Sequence, residues 1–560
     1  MLRKKIIILS PLFLGLMLLM NNMGVSAQDL NKDVYVVRPY EPTLSDAVKF
    51  NFLPDNNQVE TTIPHFDYSV APKKLENSFM PDLIKPAKTV ATSLPKIYNS
   101  WLKVGLGNYA TSLAELNISN VRSKQYAYGL YLYHKSSGGK VVLANDHKVP
   151  AGYGLDNVKL YGSSIYPKMK ITGDVRFDHH GFNYYGYNTS LYVDSLPEID
   201  KDSLKMQAYK AGMDIGLAST YTDSSHLNYN LDLHYDYFWD KLKNNENRFR
   251  IEGGLNKNFN GLQGGLDISL DYSKTKAALD SVSNTVFSFS PWISKRSKDW
   301  RFLLGFETVA DIGEITHYYF YPHASLDIII IEKVLVPFIG LTGEFQKNSY
   351  MDLFEENTFI VPGLNLKGTS SNLIVYGGLK GSISSSVRFR ADVSYTLFKN
   401  MYLFVNDTSA GDLLQNKFVG VYDEVDLITY HGQLVIQPSQ KLDISLDGKY
   451  FDYTMLAEAK PWHKPDYRIS LEASYLFGKK LTVQGGLTFI GNRWIKNYYL
   501  PEGMEKLKPV GDLNLKVNYN FSKALTIFAD LYNMADRSYM IWSQYPAQRF
   551  NFMFGLSYKL

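Results

Sequence analysis

The C-terminal stretch Arg549 to Leu560 reads RFNFMFGLSYKL. Large apolar residues occupy every second position, and the positions between them are mostly polar or small. In an extended conformation, one face of the stretch would therefore be apolar and the other mostly polar. The apolar positions are Phe550, Phe552, Phe554, Leu556, Tyr558 and Leu560. Because a sheet in lipid must close on itself to leave no unpaired edge, we interpret this stretch as the closing strand of a β-barrel.

The composition of the 560-residue chain fits a membrane barrel better than a bundle of membrane helices. Tyrosine (42) and phenylalanine (31) are abundant, charged residues make up 20%, and the mean hydropathy is −0.21. In a transmembrane barrel only every second residue need be apolar, and aromatic residues collect at both membrane interfaces. The net charge of +4 is spread without a basic block, which argues against nucleic-acid binding. The absence of cysteine excludes disulfides, thiolate metal sites, thiol catalysis and a lipid-modified N-terminal cysteine.

The N-terminus has the pattern of an export signal. Three basic residues, Arg3 to Lys5, precede the apolar run Ile6 to Met20, and Val25 to Ala27 form a small-residue cleavage site. We therefore predict residues 1–27 to be a signal peptide, with a single uncleaved membrane anchor as the alternative. No other run approaches the ~18 apolar residues of a helical span.

Residues 28–98 differ in composition from everything that follows. Eight prolines interrupt any periodicity between Gln28 and Tyr98, so we predict an extended periplasmic or luminal segment without its own core. Its β-prone part could add as a strand to the sheet edge of another outer-membrane or periplasmic protein. That part is Val34, Tyr35, Val36, Val37 and Arg38. The alternative is a tether that contacts only its own barrel.

From about residue 99 to residue 560 the sequence follows a two-residue period. Tyr467 to Phe477, for example, alternates large apolar with polar residues. Short and long links alternate between such stretches, as at Gly478 to Lys480 and Gly491 to Gly511. The pattern predicts a transmembrane antiparallel β-barrel of about 22 strands, with apolar faces toward lipid and both ends in the periplasm. Twenty-three candidate strands can be drawn, one too many for an even number, and the pattern is weakest at Asp178 to Pro197. A 16- or 18-stranded porin and a soluble sandwich or propeller are the alternatives.

The predicted lumen carries charges of both signs, which argues against a strongly ion-selective pore. We expect these side chains to pair across the wall or with the N-terminal segment. They are Arg388, Arg390, Asp392, Asp443, Asp447, Arg468 and Glu472. We predict no enzymatic site, metal or cofactor. The pair His179 and His180 follows Asp178, but neighbours in a strand point to opposite faces and no positioned nucleophile accompanies them.

The C-terminal region resembles the closing pattern of TonB-dependent receptors. The resemblance is carried by Leu531 to Arg537, Tyr539, Tyr545-Pro546, Arg549 and the final aromatic strand. Ala547-Gln548 stand where Pro-Gly is usual, and Leu560 where phenylalanine is commonest. The resemblance implies a 22-stranded barrel in the outer membrane that the barrel-assembly machinery inserts. It also implies a folded plug ahead of the barrel, but residues 28–98 are too few for one, so we expect a plug-less relative.

On this resemblance we expect a barrel that acts in solute passage or solute binding across the outer membrane. The alternative is a structural or accessory subunit of a larger outer-membrane assembly. It is favoured by the β-prone segment and by Leu326 to Ile331, which reads LDIIII and is apolar on both faces. We expect a neighbouring subunit or the N-terminal segment to cover that stretch.

Overall fold

The computed structural model describes residues 99–560, except 121–122, 124, 190, 193–201, 222–224, 278–280 and 410–413. The predictions for the signal peptide 1–27, for the Pro-rich segment 28–98 and for Val34 to Arg38 lie outside the described residues. So does the question of whether a plug precedes the barrel.

The described residues form 28 strands and one short helix. Their bounds are β1 Ser100–Gly107, β2 Thr111–Ser119, β3 Tyr126–Ser137, β4 Lys140–Val142, β5 Lys148–Pro150, β6 Tyr153–Ile165, β7 Met169–Asn183, β8 Lys205–Ser219, β9 Asn228–Asp240, β10 Asn245–Phe259, β11 Leu262–Lys276, β12 Ser281–Arg296, β13 Trp300–Ile312, β14 Thr316–Ile328, β15 Val336–Gln346, α1 Tyr350–Glu356, β16 Thr369–Ser384, β17 Val387–Asn406, β18 Phe418–Ser439, β19 Leu442–Met455, β20 Tyr467–Phe477, β21 Leu481–Ile490, β22 Arg493–Lys496, β23 Met504–Leu507, β24 Val510–Asn520, β25 Leu525–Tyr532, β26 Met540–Trp542, β27 Tyr545–Pro546 and β28 Asn551–Lys559. No helix among these residues is long and apolar enough to cross a membrane.

Twenty-two of the strands form one closed antiparallel barrel, which confirms the predicted fold class. Each strand pairs with its neighbours along the chain, and β28 pairs with β1 from Trp101 opposite Lys559 to Gly107 opposite Met553. The Leu560 N–H donates to the Ser100 carbonyl at 2.7 Å. The six remaining strands, β4, β5, β22, β23, β26 and β27, form three small hairpins within the connections.

The two faces of the barrel wall differ as the alternation of the sequence predicts. On β28, Phe554, Leu556 and Tyr558 are exposed on the outer face, whereas Met553 and Ser557 between and beside them are buried. Along a regular strand this division follows residue parity, because successive residues point to opposite sides. Bulges interrupt it in a few places, such as Thr342 to Glu344 on β15 and Phe398 to Met401 on β17.

Connections at one end of the barrel contain two to eight residues, whereas several at the other end contain 11 to 22. We call these the short-turn end and the loop end. At the short-turn end, Asn260 and Gly261 both have positive φ, as the two-residue turn between β10 and β11 requires. The longest loops are 184–204 and 347–368. Asp178 to Asn183 belong to β7, and none of the described residues of 184–204 lies in a barrel strand.

One hairpin is much longer than the rest. β17 has 20 residues and β18 has 22, whereas β20 and β21 nearby have 11 and 10. The part of this hairpin at the loop end packs against 456–466 through Trp462, which is 2% exposed. A strand needs only ~9 to 11 residues to cross a membrane, so this hairpin projects well beyond the spanning part of the barrel.

Candidate functional site

Charged side chains on the inner face of the wall pair with one another between neighbouring strands. Arg176 of β7 contacts Asp214 of β8 and Asp236 of β9, the latter at 2.6 Å. On the far side of the barrel, Asp327 of β14 accepts from Lys380 of β16 at 3.0 Å. The inner wall is therefore lined by paired charges of both signs.

Three of the predicted lumen residues meet in one cluster. The Arg390 Nε lies 2.6 Å from the Asp392 carboxylate. His431 lies between two carboxylates, with its Nδ1 3.0 Å from Asp392 and its Nε2 2.9 Å from Asp447. Sequence reasoning missed His431, although it stands directly opposite Asp392 in the pairing of β17 with β18. A search for inward polar residues on the neighbouring strand would have found it.

The other predicted lumen residues lie elsewhere on the same wall. Arg468 stands opposite Lys449, beside the cluster, and Glu472 stands opposite Ser445. Arg388 and Asp443 are nearer the short-turn end, opposite Val435 and Ser474. The structure does not bring these four side chains into the histidine cluster.

A hydrophobic core fills the loop end of the barrel. It is built from strand ends and from loops that turn inward, and its members are almost completely buried. They are Phe182, Tyr184, Met206, Ala208, Phe238, Tyr350, Met351, Leu353, Phe354, Ile360, Leu364, Tyr402, Phe404, Phe418, Trp542 and Tyr545. We call the described parts of 184–204, 347–368, 407–417, 456–466 and 533–550 the loop cap. Burial of so many aromatic side chains stabilises the loops against the entropy of ordering them.

Contacts in the loop cap join opposite sides of the barrel. β7 and β18 are the fifth and sixteenth of the 22 strands counted from β1, so they lie half the barrel apart. The Asn416 side chain, just before β18, donates to the carbonyls of Tyr184 and Gly186, just after β7, at 3.1 and 2.9 Å. Tyr545 donates its hydroxyl to the Asn416 carbonyl and stacks on Phe359 with ring centroids 3.6 Å apart. The loops therefore meet across the mouth.

The helix α1 lies within the mouth, where two wall strands and one loop hold it. Its N-terminus is capped by Ser349, which accepts from the Asp352 N–H at 3.1 Å. Its buried residues Tyr350, Met351, Leu353 and Phe354 face the hydrophobic core.

Three ion pairs hold this helix in place. They join Asp352 to Arg248 of β10 at 2.7 Å, Glu355 to Lys210 of β8 at 2.7 Å, and Glu356 to Lys464 of 456–466 at 3.0 Å. β8 and the loop after β19 stand on opposite sides of the barrel, so the helix bridges them. Sequence analysis missed α1, although Ser349 followed by Asp352 and an apolar turn is a helix-start signal.

A buried histidine links two of the loops. The His463 Nδ1–H donates to the Phe404 carbonyl at 2.9 Å, while its Nε2 accepts from the Ser543 N–H at 3.3 Å. Both bonds require the neutral ring, and burial lowers the pKa of His463 to about 3. Nearby, Arg493 donates to the Ile541 carbonyl at 2.6 Å. The loop cap is thus fixed by directed polar contacts as well as by packing.

Among the described residues, side-chain contacts made by Asn416 and Tyr545 cross the mouth at the loop end. Within the described residues, no group of three or more His, Asp or Glu side chains could hold a metal ion.

Comparison with known proteins identifies the fold. No protein-family model and no curated protein matched the chain. Among solved structures, the siderophore receptor PirA from Acinetobacter baumannii aligns with a TM-score of 0.64 and 11% identity, over 84% of this chain and 81% of that chain. The FrpB iron transporter from Neisseria meningitidis aligns with a TM-score of 0.64 and 8% identity, over 83% of each. The pyoverdine receptor FpvA from Pseudomonas aeruginosa PAO1 gives 0.61 and 11%, over 84% and 79%.

The chain has the barrel fold of TonB-dependent receptors. This confirms the resemblance that the C-terminal motif indicated. The features that define this barrel fold here are the closed ring of 22 strands and the alternation of short turns with long loops. At 8 to 11% identity the likeness concerns the fold, and the lumen and loop cap must be interpreted from their own residues.

Proposed function

We propose that the protein is an outer-membrane barrel that binds a solute and passes it through its lumen, with the loop cap as the gate. The observation that carries the proposal is the closure of the mouth by contacts between opposite walls, from Asn416 to Tyr184. The solved structures with this barrel include siderophore receptors and an iron transporter, which supports a role in uptake. We do not expect enzymatic activity in the lumen.

The orientation in this proposal follows from the connections. Outer-membrane barrels place short turns in the periplasm and long loops outside the cell. We therefore assign the loop cap to the outside and the C-terminus to the periplasm. Residues 28–98 would then enter from the periplasmic side and act as a partial stopper in place of a plug.

The paired charges of the lumen support a solute that is not selected by net charge. Arg390 pairs with Asp392, His431 lies between Asp392 and Asp447, and Arg176 pairs with two carboxylates, so both signs of charge line the wall. Strong ion selectivity requires one sign of charge to dominate a lining.

Conductance in planar bilayers tests the gate. We compare the full chain, a variant that lacks Asp29 to Pro95, and each of these with Tyr545→Ala. Tyr545 is fully buried and contacts Phe359, Tyr185 and Asn416. Its removal should open the loop cap and raise conductance, most clearly in the variant without the N-terminal segment.

The matched control is Tyr318→Ala, because Tyr318 is 81% exposed on β14 and touches no part of the loop cap core. This substitution should leave conductance unchanged. If Tyr545→Ala raises conductance in neither background, the loop cap is not the gate. If no variant conducts or binds solute, the transport proposal fails.

A role as an accessory subunit is the second candidate. It is favoured by the turn after β14, where Ile330, Ile331 and Val334 are all exposed at the short-turn end. Exposed apolar side chains at the end of a barrel are typical of contacts with another protein. Isolation in mild detergent distinguishes the candidates: a stoichiometric partner that Ile330→Glu and Ile331→Glu release supports the second, and a lone barrel contradicts it.

A further inference from the structure

A row of hydrogen-bonded polar side chains crosses the outer face of the barrel near the loop end. The Ser112 Oγ on β2 lies 3.3 Å from the His134 Nε2 on β3. The His134 Nδ1 lies 2.6 Å from the Asp156 Oδ1 on β6. On the other side of that carboxylate, the His179 Nδ1 on β7 lies 2.7 Å from the Asp156 Oδ2, and His179 continues to Gln207 on β8.

These side chains point away from the lumen. On β3, His134 lies an even number of positions from Tyr128 and therefore shares its face; on β6 the same holds for Asp156 and Leu160. Tyr128 and Leu160 are more than half exposed on the outer face. On β7, His179 shares the face of Val175, which is also more than half exposed. The imidazole of His134 and the carboxylate of Asp156 are themselves 45% and 40% exposed.

The row lies at the border of the apolar outer surface. Eight residues separate Tyr126, at the short-turn end of β3, from His134. At ~3.4 Å per residue and a tilt of ~40°, they span about 21 Å of membrane depth, close to the height of a ~25 Å apolar band. Aromatic rings that mark membrane interfaces continue the row: His179 stacks on Tyr209 at 5.0 Å, and Tyr209 stacks on Trp239 at 5.3 Å.

Neighbouring residues differ on the two sides of the row. On the short-turn side, the adjoining outward positions are apolar: Leu116, Leu132, Val158 and Phe177, which pair across β2, β3, β6 and β7. On the loop side, Ser112 of the row pairs with Ser136, and the line of outward positions continues through Gly154 and Gly181. A side chain at Gly154 would meet nothing within 4 Å, so this side is open. Lipid chains would lie on the first side and headgroups on the second, which places the ester bonds of a lipid at the row.

The connection from Ser112 through His134 to Asp156 is that of a nucleophile, a general base and an orienting carboxylate. Asp156 accepts from the Nδ1–H of His134 and so leaves the Nε2 lone pair free to accept the Ser112 proton. His179 fixes the same carboxylate from its other side. The hydroxyl of Ser136 lies 2.8 Å from the Ser112 Oγ, within hydrogen-bond distance of the reacting oxygen.

We propose that Ser112, His134 and Asp156 form a lipid-facing hydrolytic site that cleaves acyl esters of membrane lipids. The Ser112 Oγ attacks the ester carbonyl while its proton passes to the His134 Nε2. His134 then returns that proton to the departing alcohol, leaving an acyl ester on Ser112. Water attacks this ester with His134 again as base, and a fatty acid leaves. The balance is one ester and one water to one alcohol and one fatty acid.

The test uses the full chain in vesicles of diacyl phosphatidylethanolamine, with fatty-acid release and covalent labelling by a fluorophosphonate probe as two readouts. Ser112→Ala should abolish both labelling and release. His134→Gln should lower both at least 100-fold, and Asp156→Asn should lower release at least 100-fold while the barrel remains inserted. Vesicles of the ether-linked lipid should release nothing.

The matched control is Ser164→Ala, because Ser164 shares the outward parity of β6 but lies at its short-turn end. It should match the unmodified chain in both readouts. The proposal is overturned if the unmodified chain neither releases fatty acid nor takes the label, or if Ser112→Ala retains either. In those cases the row serves only to satisfy its own polar groups at the membrane border.

Discussion

The strand β20 allows the assignment of its two faces to be tested with adjacent residues. Leu471 is outward and stands between Leu446 and Leu487, while Ser470 is inward and stands between Asp447 and Thr488. We predict that Leu471→Arg destabilises the barrel strongly and that Ser470→Arg does not. The two substitutions introduce the same charge one residue apart, so only the face differs.

The expected magnitude follows from the depth of Leu471. Six residues separate it from Phe477 at the short-turn end. At ~3.4 Å per residue and a tilt of ~40°, it lies about 16 Å into a ~25 Å apolar band. Arginine on the lipid face costs ~2 to 4 kcal/mol at the midplane and ~0 to 1 near an interface, so we expect a loss of about 2 to 3 kcal/mol.

Ser470→Arg places the new guanidinium opposite the carboxylate of Asp447 in a polar lumen. We expect its effect on the free energy of unfolding to stay within about 1 kcal/mol. The measurement is reversible urea unfolding of the barrel in lipid vesicles. Equal losses for the two variants, or a larger loss for Ser470→Arg, would refute the assignment of inner and outer faces.

Three further predictions concern closure and the loop cap. Removal of Phe554–Leu560 should prevent insertion, because β1 and β25 would then expose unpaired edges to lipid, and protease resistance after folding into vesicles measures this. The loop cap should loosen as the pH falls from 6.5 toward 3. The fold holds His463 neutral with a pKa of about 3 against an ordinary 6.5, so the stability that is present above pH 6.5 is lost on acidification. Fluorescence of the buried Trp542 reports this loosening, and His463→Gln should remove the pH effect. Lys464→Met should speed hydrogen exchange of α1 about tenfold, because Glu356 loses its buried partner at a cost of ~1 to 3 kcal/mol.

Each of these has a control in the same chain. Lys479→Met, in the exposed turn between β20 and β21, should leave the exchange of α1 unchanged. Acidification that alters Trp542 fluorescence equally in the His463→Gln variant would contradict the role of that ring. Insertion of the truncated chain with native protease resistance would contradict closure through β28.

The two-residue period predicted the barrel because the alternation can be recognised within each strand separately. In Arg549–Leu560 the alternation is local, whereas the pairing of this stretch with β1 depends on the closed barrel. Strand number was harder to predict because loops such as 184–204 also contain aromatic residues, among them Tyr184 and Tyr185, which pack in the loop cap instead of in the wall. The helix α1 was not predicted because its seven residues are too few to show a helical period, and its apolar residues are buried among loops.

The sites depend on contacts that no local pattern contains. Asn416 and Tyr184 are 232 residues apart, so their contact across the mouth follows only from the closed barrel. His179 was examined with its neighbours Asp178 and His180, but its carboxylate partner is Asp156 on another strand. Strand register decides such pairs, and register is set by turns and by pairing along the whole wall.

The tall hairpin of β17 and β18 carries the wall itself into the mouth. About ten residues of each strand extend past the span, or roughly 35 Å of strand at ~3.4 Å per residue. Met401 to Asn406 are all buried, and Tyr402, Phe404 and Phe418 belong to the hydrophobic core at the loop end. Any movement of that core must therefore bend two hydrogen-bonded wall strands, which are stiffer than a free loop.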